Sequence, residues 1–158
     1  SDGFSRKRNF RLKSDADLTQ NKSPMIRDKA FTVTIKLTSV GTEGVLVAQG
    51  GTAAGYAVYQ KDGKVWFVLR RRGGIFSVSG DMTDDENRFV VHLTKKGAVT
   101  IKSGDRLLAS GDASGPLGTM PIDGLQVGRD AAGHVGDYGV TDEFPYDGEI
   151  EQVQIKFD

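Results

Sequence analysis

Apolar side chains in this chain recur at every second residue, and no window of a dozen residues carries them at the 3.6-residue interval of a helix face. "FTVTIKL", "VWFVL" and "FVVHL" show the alternation most clearly. Turn signals interrupt it every eight to twelve residues: Asp62-Gly63, Gly73-Gly74, Lys96-Gly97 and Gly104-Asp105. Short strands at that spacing predict an all-β chain, folded as an antiparallel two-sheet β-sandwich. Strands are expected over about 31–37, 44–49, 55–61, 64–70, 74–79, 88–94, 98–103, 106–110, 124–128 and 149–157. Residues 1–28 are polar and basic and read as a linker with an edge strand around Phe10 and Leu12. Residues 29–158 read as the sandwich itself.

One hairpin can be solved from its turn. Asp62-Gly63 is a type I′ signal, since both central positions need a positive φ. That closure pairs Lys61 with Lys64, Tyr59 with Trp66, Val58 with Phe67 and Tyr56 with Leu69. Directly opposed residues share a face. Tyr56, Val58, Val65, Phe67 and Leu69 form the expected core face. Ala57, Tyr59, Trp66 and Val68 form a second apolar face, rimmed by Lys61, Lys64 and Arg70. A strand at a sandwich surface should be wet on one side, so this face needs a cover: the N-terminal segment, a partner domain or a sugar. Tyr59, Trp66, Lys64 and Arg70 are therefore candidate ligand or domain contacts.

Charge narrows the partners. The 158 residues hold 21 Lys plus Arg and 21 Asp plus Glu. This balance gives no support to nucleic acid or an anionic membrane. The distribution is uneven: eight basic and four acidic residues in 1–30, eleven and seven in 31–110, two and ten in 111–158. Asp130, Asp137 and Asp142 in the acidic, Gly-rich last third are candidate oxygen ligands for Ca²⁺, although their spacing matches no calcium-loop motif. His92 reads as a half-exposed strand residue, and the only other histidine, His134, does not complete a metal set. There is no Cys, hence no disulfide framework and no thiolate chemistry. No apolar run is long enough to span a membrane, and no signal peptide is visible at the start of the chain.

"YDGEIEQVQIKF" places Asp147, Glu149 and Glu151 at alternate positions. On a regular strand they would face one way about 6–7 Å apart, the carboxylate separation of a glycosidase pair. The apolar set, however, changes parity between Ile150 and Val153. A bulge at Glu151-Gln152 would restore it, leaving both glutamates in solvent.

Three stretches carry a resemblance: "GVLVAQGGTAAGYAVYQKDGKVWFVL", "FVVHLTKKGAVTIKSGDRLLASG" and "GLQVGRDAAGHVGDYGVTDEFPYDGEIEQVQI". Gly44, Val45, Leu46, Gly50, Gly51, Gly55, Tyr56, Tyr59 and Lys61 to Lys64 form one motif. Val127, Gly128, Asp130, Val135, Tyr138, Tyr146, Gly148, Ile150 and Val153 form the other. In this order they resemble the C-terminal accessory domain of bacterial arylsulfatases, within the concanavalin A-like, laminin G-like superfamily. The resemblance implies a jelly roll, a periplasmic or secreted location and a sulfatase catalytic domain as neighbour in the same parent chain. It also allows Ca²⁺ at the sandwich rim, and a sulfated or other polysaccharide as ligand. The turn Ser103-Gly104-Asp105-Arg106 departs from that pattern and fits type II′ instead. The stretch "RRRGGIFSVSGDMTDDEN" has no counterpart; Arg70 to Arg72 read as a solvated strand end, with sulfate or uronate contact as the alternative. The sulfatase nucleophile motif is absent: Ser23-Pro24-Met25-Ile26-Arg27 has its proline in the wrong place. The expected role is therefore a non-catalytic domain that packs on and supports a sulfatase. A carbohydrate-binding module and a glycosidase using Asp147, Glu149 and Glu151 are the alternatives.

Overall fold

The computed structural model describes residues 3–158, so Ser1 and Asp2 of the expected linker lie outside the described residues. Two six-stranded antiparallel sheets face each other. The first, sheet A, runs in the order β1 (Asn9–Leu12), β12 (Glu149–Phe157), β3 (Phe31–Ser39), β8 (Arg88–Leu93), β9 (Ala98–Ser103) and β10 (Arg106–Asp112). The second, sheet B, runs β2 (Asp17–Leu18), β11 (Leu125–Val127), β4 (Gly44–Gly50), β5 (Ala54–Lys61), β6 (Lys64–Arg71) and β7 (Gly74–Asp81). This is the expected jelly-roll sandwich.

The alternation read from sequence sets which side chains meet between the sheets. Val33 and Ile35 of β3, Val91 of β8 and Val153 and Ile155 of β12 are buried against Val58, Val65, Phe67 and Leu69 of the β5–β6 hairpin. The hairpin register runs from Lys61↔Lys64 to Ala54↔Arg71, with Tyr59 opposite Trp66. Asp62 (φ 56°) and Gly63 (φ 72°) supply the two positive φ angles of the type I′ turn. In the turn between β9 and β10 Gly104 alone is positive (φ 58°), as a type II′ turn requires. Tyr56 is buried with its hydroxyl donating to Gln49 Oε1 (3.1 Å), and Gln49 Nε2 donates to Pro24 O (2.8 Å). Burial raises the Tyr56 pKa, so it remains a neutral donor.

Each open side of the sandwich is bounded by one edge strand from each sheet. β1 and β2 come from one N-terminal segment, one joining each sheet. β7 and β10 lie against each other on the opposite side. The β7–β10 approach shields ladder edges that would otherwise be open to pairing with other chains.

Two of the three consecutive arginines are not solvated, contrary to expectation. Arg70 Nε donates to Val135 O (2.6 Å) and Arg70 Nη1 to Gly73 O (2.8 Å). Arg71 holds Ala113 O, Gly115 O and Pro116 O. Each is a planar fork whose donors match several loop carbonyls at once. Arg72 occupies the turn at φ 51° and is exposed. No helix of the described residues is long and apolar enough to cross a membrane.

Candidate functional site

The outer face of sheet B carries a second buried cluster, and the chain covers it itself. Val45, Ala48, Ala57, Tyr59 and Val68 of the sheet meet Val135, Tyr138 and Phe144 of the loop between β11 and β12. Tyr59 packs edge-on against Tyr138 (centroids 4.9 Å) and Phe144 (6.1 Å), while Tyr138 and Phe144 stack at 5.0 Å. The cover expected from an N-terminal segment, a partner or a sugar is thus largely this loop. Its apolar residues show no period, so its fold-back left no mark in the alternation.

Asp130 organises the loop. Its Oδ2 accepts from Val135 N–H (2.8 Å) and Tyr138 O–H (2.5 Å), while Asp130 N–H donates to Glu143 O (2.9 Å). Burial raises its pKa, against the pull of the Tyr138 and Val135 hydrogen bonds. Its Oδ1 is buried with no hydrogen-bond partner among the described residues. Lys61 Nζ donates to Tyr138 O, and His134 Nε2 donates to Asp142 O.

The loop stops short of Trp66. The indole stacks on Tyr59 with centroids 5.6 Å apart and planes 4° from parallel, and its Nε1 donates to Lys61 O (3.1 Å). Tyr59 is only 4% exposed, whereas Trp66 is half-buried. Beside them lies a cleft of about 190 Å³, lined by Trp66, Val68, Ile75, Ser77, Asp62 and Asp137, together with Tyr59 and Lys61. Burial, then the charges of Asp137 and Asp62, push the Tyr59 hydroxyl up to about 12. It stays protonated at any ordinary pH.

The expected cations are not free to meet a ligand. Arg70 Nη2 pairs with Asp137 (3.0 Å) while its other donors brace loop carbonyls. Lys64 pairs with Asp81 (2.6 Å). Lys61 is committed to Tyr138 O.

The three candidate calcium ligands do not converge. Asp130 is buried in its latch, Asp137 faces Arg70, and Asp142 Oδ1 accepts from Phe144 N–H (2.9 Å). Among the described residues no group of three or more His, Cys, Asp or Glu side chains is placed to hold a metal ion.

The carboxylate trio is also dispersed. Asp147 accepts from Thr42 N–H (2.8 Å), Thr42 Oγ1–H (2.6 Å) and Glu43 N–H (3.1 Å). Burial pushes its carboxyl up, but these bonds outweigh it and hold the pKa below the usual range. It clamps the turn between β3 and β4. The pairing register steps from Ile150↔Leu37 to Gln152↔Lys36, leaving Glu151 as the expected bulge residue. Glu149 and Glu151 are exposed on either side of the buried Ile150. His92, on the interior strand β8, pairs with Asp158 (3.0 Å) and with none of the three.

No family model matches the chain, and no curated protein matches it significantly. Solved structures do. The CBM40 of Ruminococcus gnavus IT-sialidase bound to α2,3-sialyllactose matches at TM-score 0.61 and 16% identity, covering 95% of this chain and 90% of that one. Mouse laminin α1 domains LG4-5 match at 0.59 and 13%, covering 99% of this chain and 42% of that one. The leech intramolecular trans-sialidase matches at 0.60 and 13%, covering 95% and 25%. At these identities the likeness concerns the fold, and the fold is the concanavalin A-like, laminin G-like sandwich.

Proposed function

We propose that the chain is a carbohydrate-binding module that seats a sugar in the cleft beside Trp66. The observation that carries this reading is the half-exposed indole flooring a cleft whose other walls mix apolar Val68 and Ile75 with polar Asp62, Ser77 and Asp137. An aromatic face packs on the C–H face of a pyranose, while Asp62, Asp137 and Ser77 accept hydrogen bonds from its hydroxyls. The charges at the cleft balance, Asp62 and Asp137 against Lys61 and Arg70, and the donors of both cations are already taken by loop carbonyls and Asp137, so no cationic donor is left to bind an anionic sugar. The cleft therefore selects a neutral sugar. Structural neighbours that hold sialyllactose support a glycan-binding role for this fold in general, not the same subsite.

The arylsulfatase resemblance has a plainer cause in part. A Cβ on Gly50 would lie 2.3 Å from Ala54 O, and one on Gly55 would lie 2.3 Å from Gln49 O. These motif glycines are needed wherever β4 and β5 approach in this way, whatever the parent protein. Appended to a sulfatase catalytic domain, outside the cytoplasm, the module would hold glycan near that domain; alone, it would bind without turning over.

The test is titration of the chain with neutral oligosaccharides and with sialyllactose. Saturable binding of a neutral sugar that Trp66→Ala abolishes supports the reading. Binding that Trp66→Ala leaves intact, or no binding across the panel, overturns it.

A further inference from the structure

The two outer faces of the sandwich differ in kind. That of sheet B is apolar and covered by the chain's own loop. That of sheet A has no such cluster among the described residues. The strand pairings place Arg11 (β1), Lys156 (β12), Lys36 (β3), Arg88 (β8) and Lys102 (β9) on this one face. Arg11 lies opposite Gln154, which lies opposite Thr34; Lys156 lies opposite Thr32; Lys36 lies opposite Arg88; Lys102 lies opposite Val90, the next outward residue after Arg88. Five adjacent strands at about 4.8 Å give a field about 19 Å across. Lys36 is half-exposed and the other four are exposed. None of the five forms an ion pair among the described residues. The acids nearby are peripheral: Glu151 in the bulge, Asp112 opposite Ala98 on the edge strand, and Asp158, which pairs with His92.

Between the cations stand Thr32, Thr34, Thr100, Gln152 and Gln154; these strands turn no Phe, Tyr or Trp to this face, whose one ring is the imidazole of His92, opposite Thr32 and Thr100 and paired with Asp158. We infer that this face binds an extended anionic polysaccharide, with the cations meeting its sulfate or carboxylate groups and the Thr and Gln side chains its hydroxyls. Charge complementarity selects the polyanion. The lack of a Phe, Tyr or Trp platform, with the His92 ring held by Asp158, argues against single-stranded nucleic acid, which is bound by base stacking on aromatic side chains. A chain of zero formal net charge still presents one strong positive field because its acids are gathered elsewhere. The inference is separate from the Trp66 cleft and does not need it.

The experiment is binding to heparin, to neutral dextran and to duplex DNA across a salt series, for the parent chain and for Lys36→Glu/Arg88→Glu/Lys102→Glu. A Lys36→Gln/Arg88→Gln/Lys102→Gln variant serves if charge reversal impairs folding. The parent should bind heparin, ignore dextran and bind DNA at least tenfold more weakly. The neutralised variant should lower the log–log salt slope by about three, one for each cation removed. Trp66→Ala should leave heparin binding unchanged. Three results would overturn the inference: no heparin binding by the parent, DNA bound as tightly as heparin, or heparin binding that survives the triple variants. The last would move the site to the groove of about 360 Å³ lined by Arg6, Lys7, Arg8 and Lys29.

Discussion

Tyr59 and Trp66 stand face to face across the β5–β6 ladder, and the loop from Asp130 to Phe144 covers one of them and not the other. This division separates a packing role from a contact role within one cross-strand pair.

Stability should register the division. Tyr59→Ala opens a cavity beneath Tyr138 and Phe144 and should cost about 3–5 kcal/mol, the usual range for a large buried aromatic. Trp66→Ala removes a half-exposed ring and should cost less than half as much. Urea denaturation of the two variants checks this; equal losses would mean that Trp66 is also a core residue in solution.

Asp147 is assigned a clamp and not a catalytic role. Asp147→Ala should destabilise by about 1–2 kcal/mol through loss of its bonds to Thr42 and Glu43. Asp147→Asn should recover most of that, because an amide oxygen still accepts from both backbone N–H groups. Glu149→Gln and Glu151→Gln should stay within about 0.5 kcal/mol. A glycosidase would instead show its largest activity loss in the isosteric amide variants, so assays on a glycan panel test the same set.

Glu86 and Asp130 should shift acid stability in opposite directions. Glu86, bonded to Arg106 and to Thr83 N–H, is lowered from 4.5 to about 2. Its folded pKa lies below its unfolded one, so its contribution is fully present above pH about 4.5 and is lost as pH falls toward about 2. Asp130 is raised by burial. Its charged form costs stability at neutral pH, and that cost is relieved as pH falls through its folded pKa toward its unfolded one near 3.9. Glu86→Gln should therefore flatten the acid limb of a stability-against-pH curve, and Asp130→Asn should steepen it. Parallel curves for parent and Asp130→Asn would rule out the buried carboxylate as a titrating group.

Legibility from sequence followed the range of the interactions. The β5–β6 register was readable because a two-residue turn fixes every pair above it. The bulge at Glu151 was readable because Ile150 and Val153 break parity in a strand that must keep one dry face. The fold-back of Val135, Tyr138 and Phe144 was not readable. It depends on a buried Asp130 that contacts residues five and eight positions on, and an aspartate in an acidic loop looks like a solvated one. The two-residue β2 was also missed, being too short to show alternation. The positive face of sheet A was hidden because its cations come from five strands spread over the whole chain.

The chain's one tryptophan turns the two proposed surfaces into separable signals. Trp66 lines the sheet B cleft, so a neutral sugar stacking there should displace water from the indole and shift its emission to shorter wavelength. Lys36, Arg88 and Lys102 lie on the outer face of the opposite sheet, with the core between them and Trp66. Heparin bound there should leave the emission maximum where it was while still being detected by its salt-dependent affinity. A fluorescence titration with each ligand, then with both together, checks the arrangement. Independent sites require that saturating heparin leave the sugar's apparent Kd unchanged within error. A Kd that rises in proportion to heparin concentration would mean that both ligands compete for one surface, and the cleft and the basic face would then have to be read as a single site.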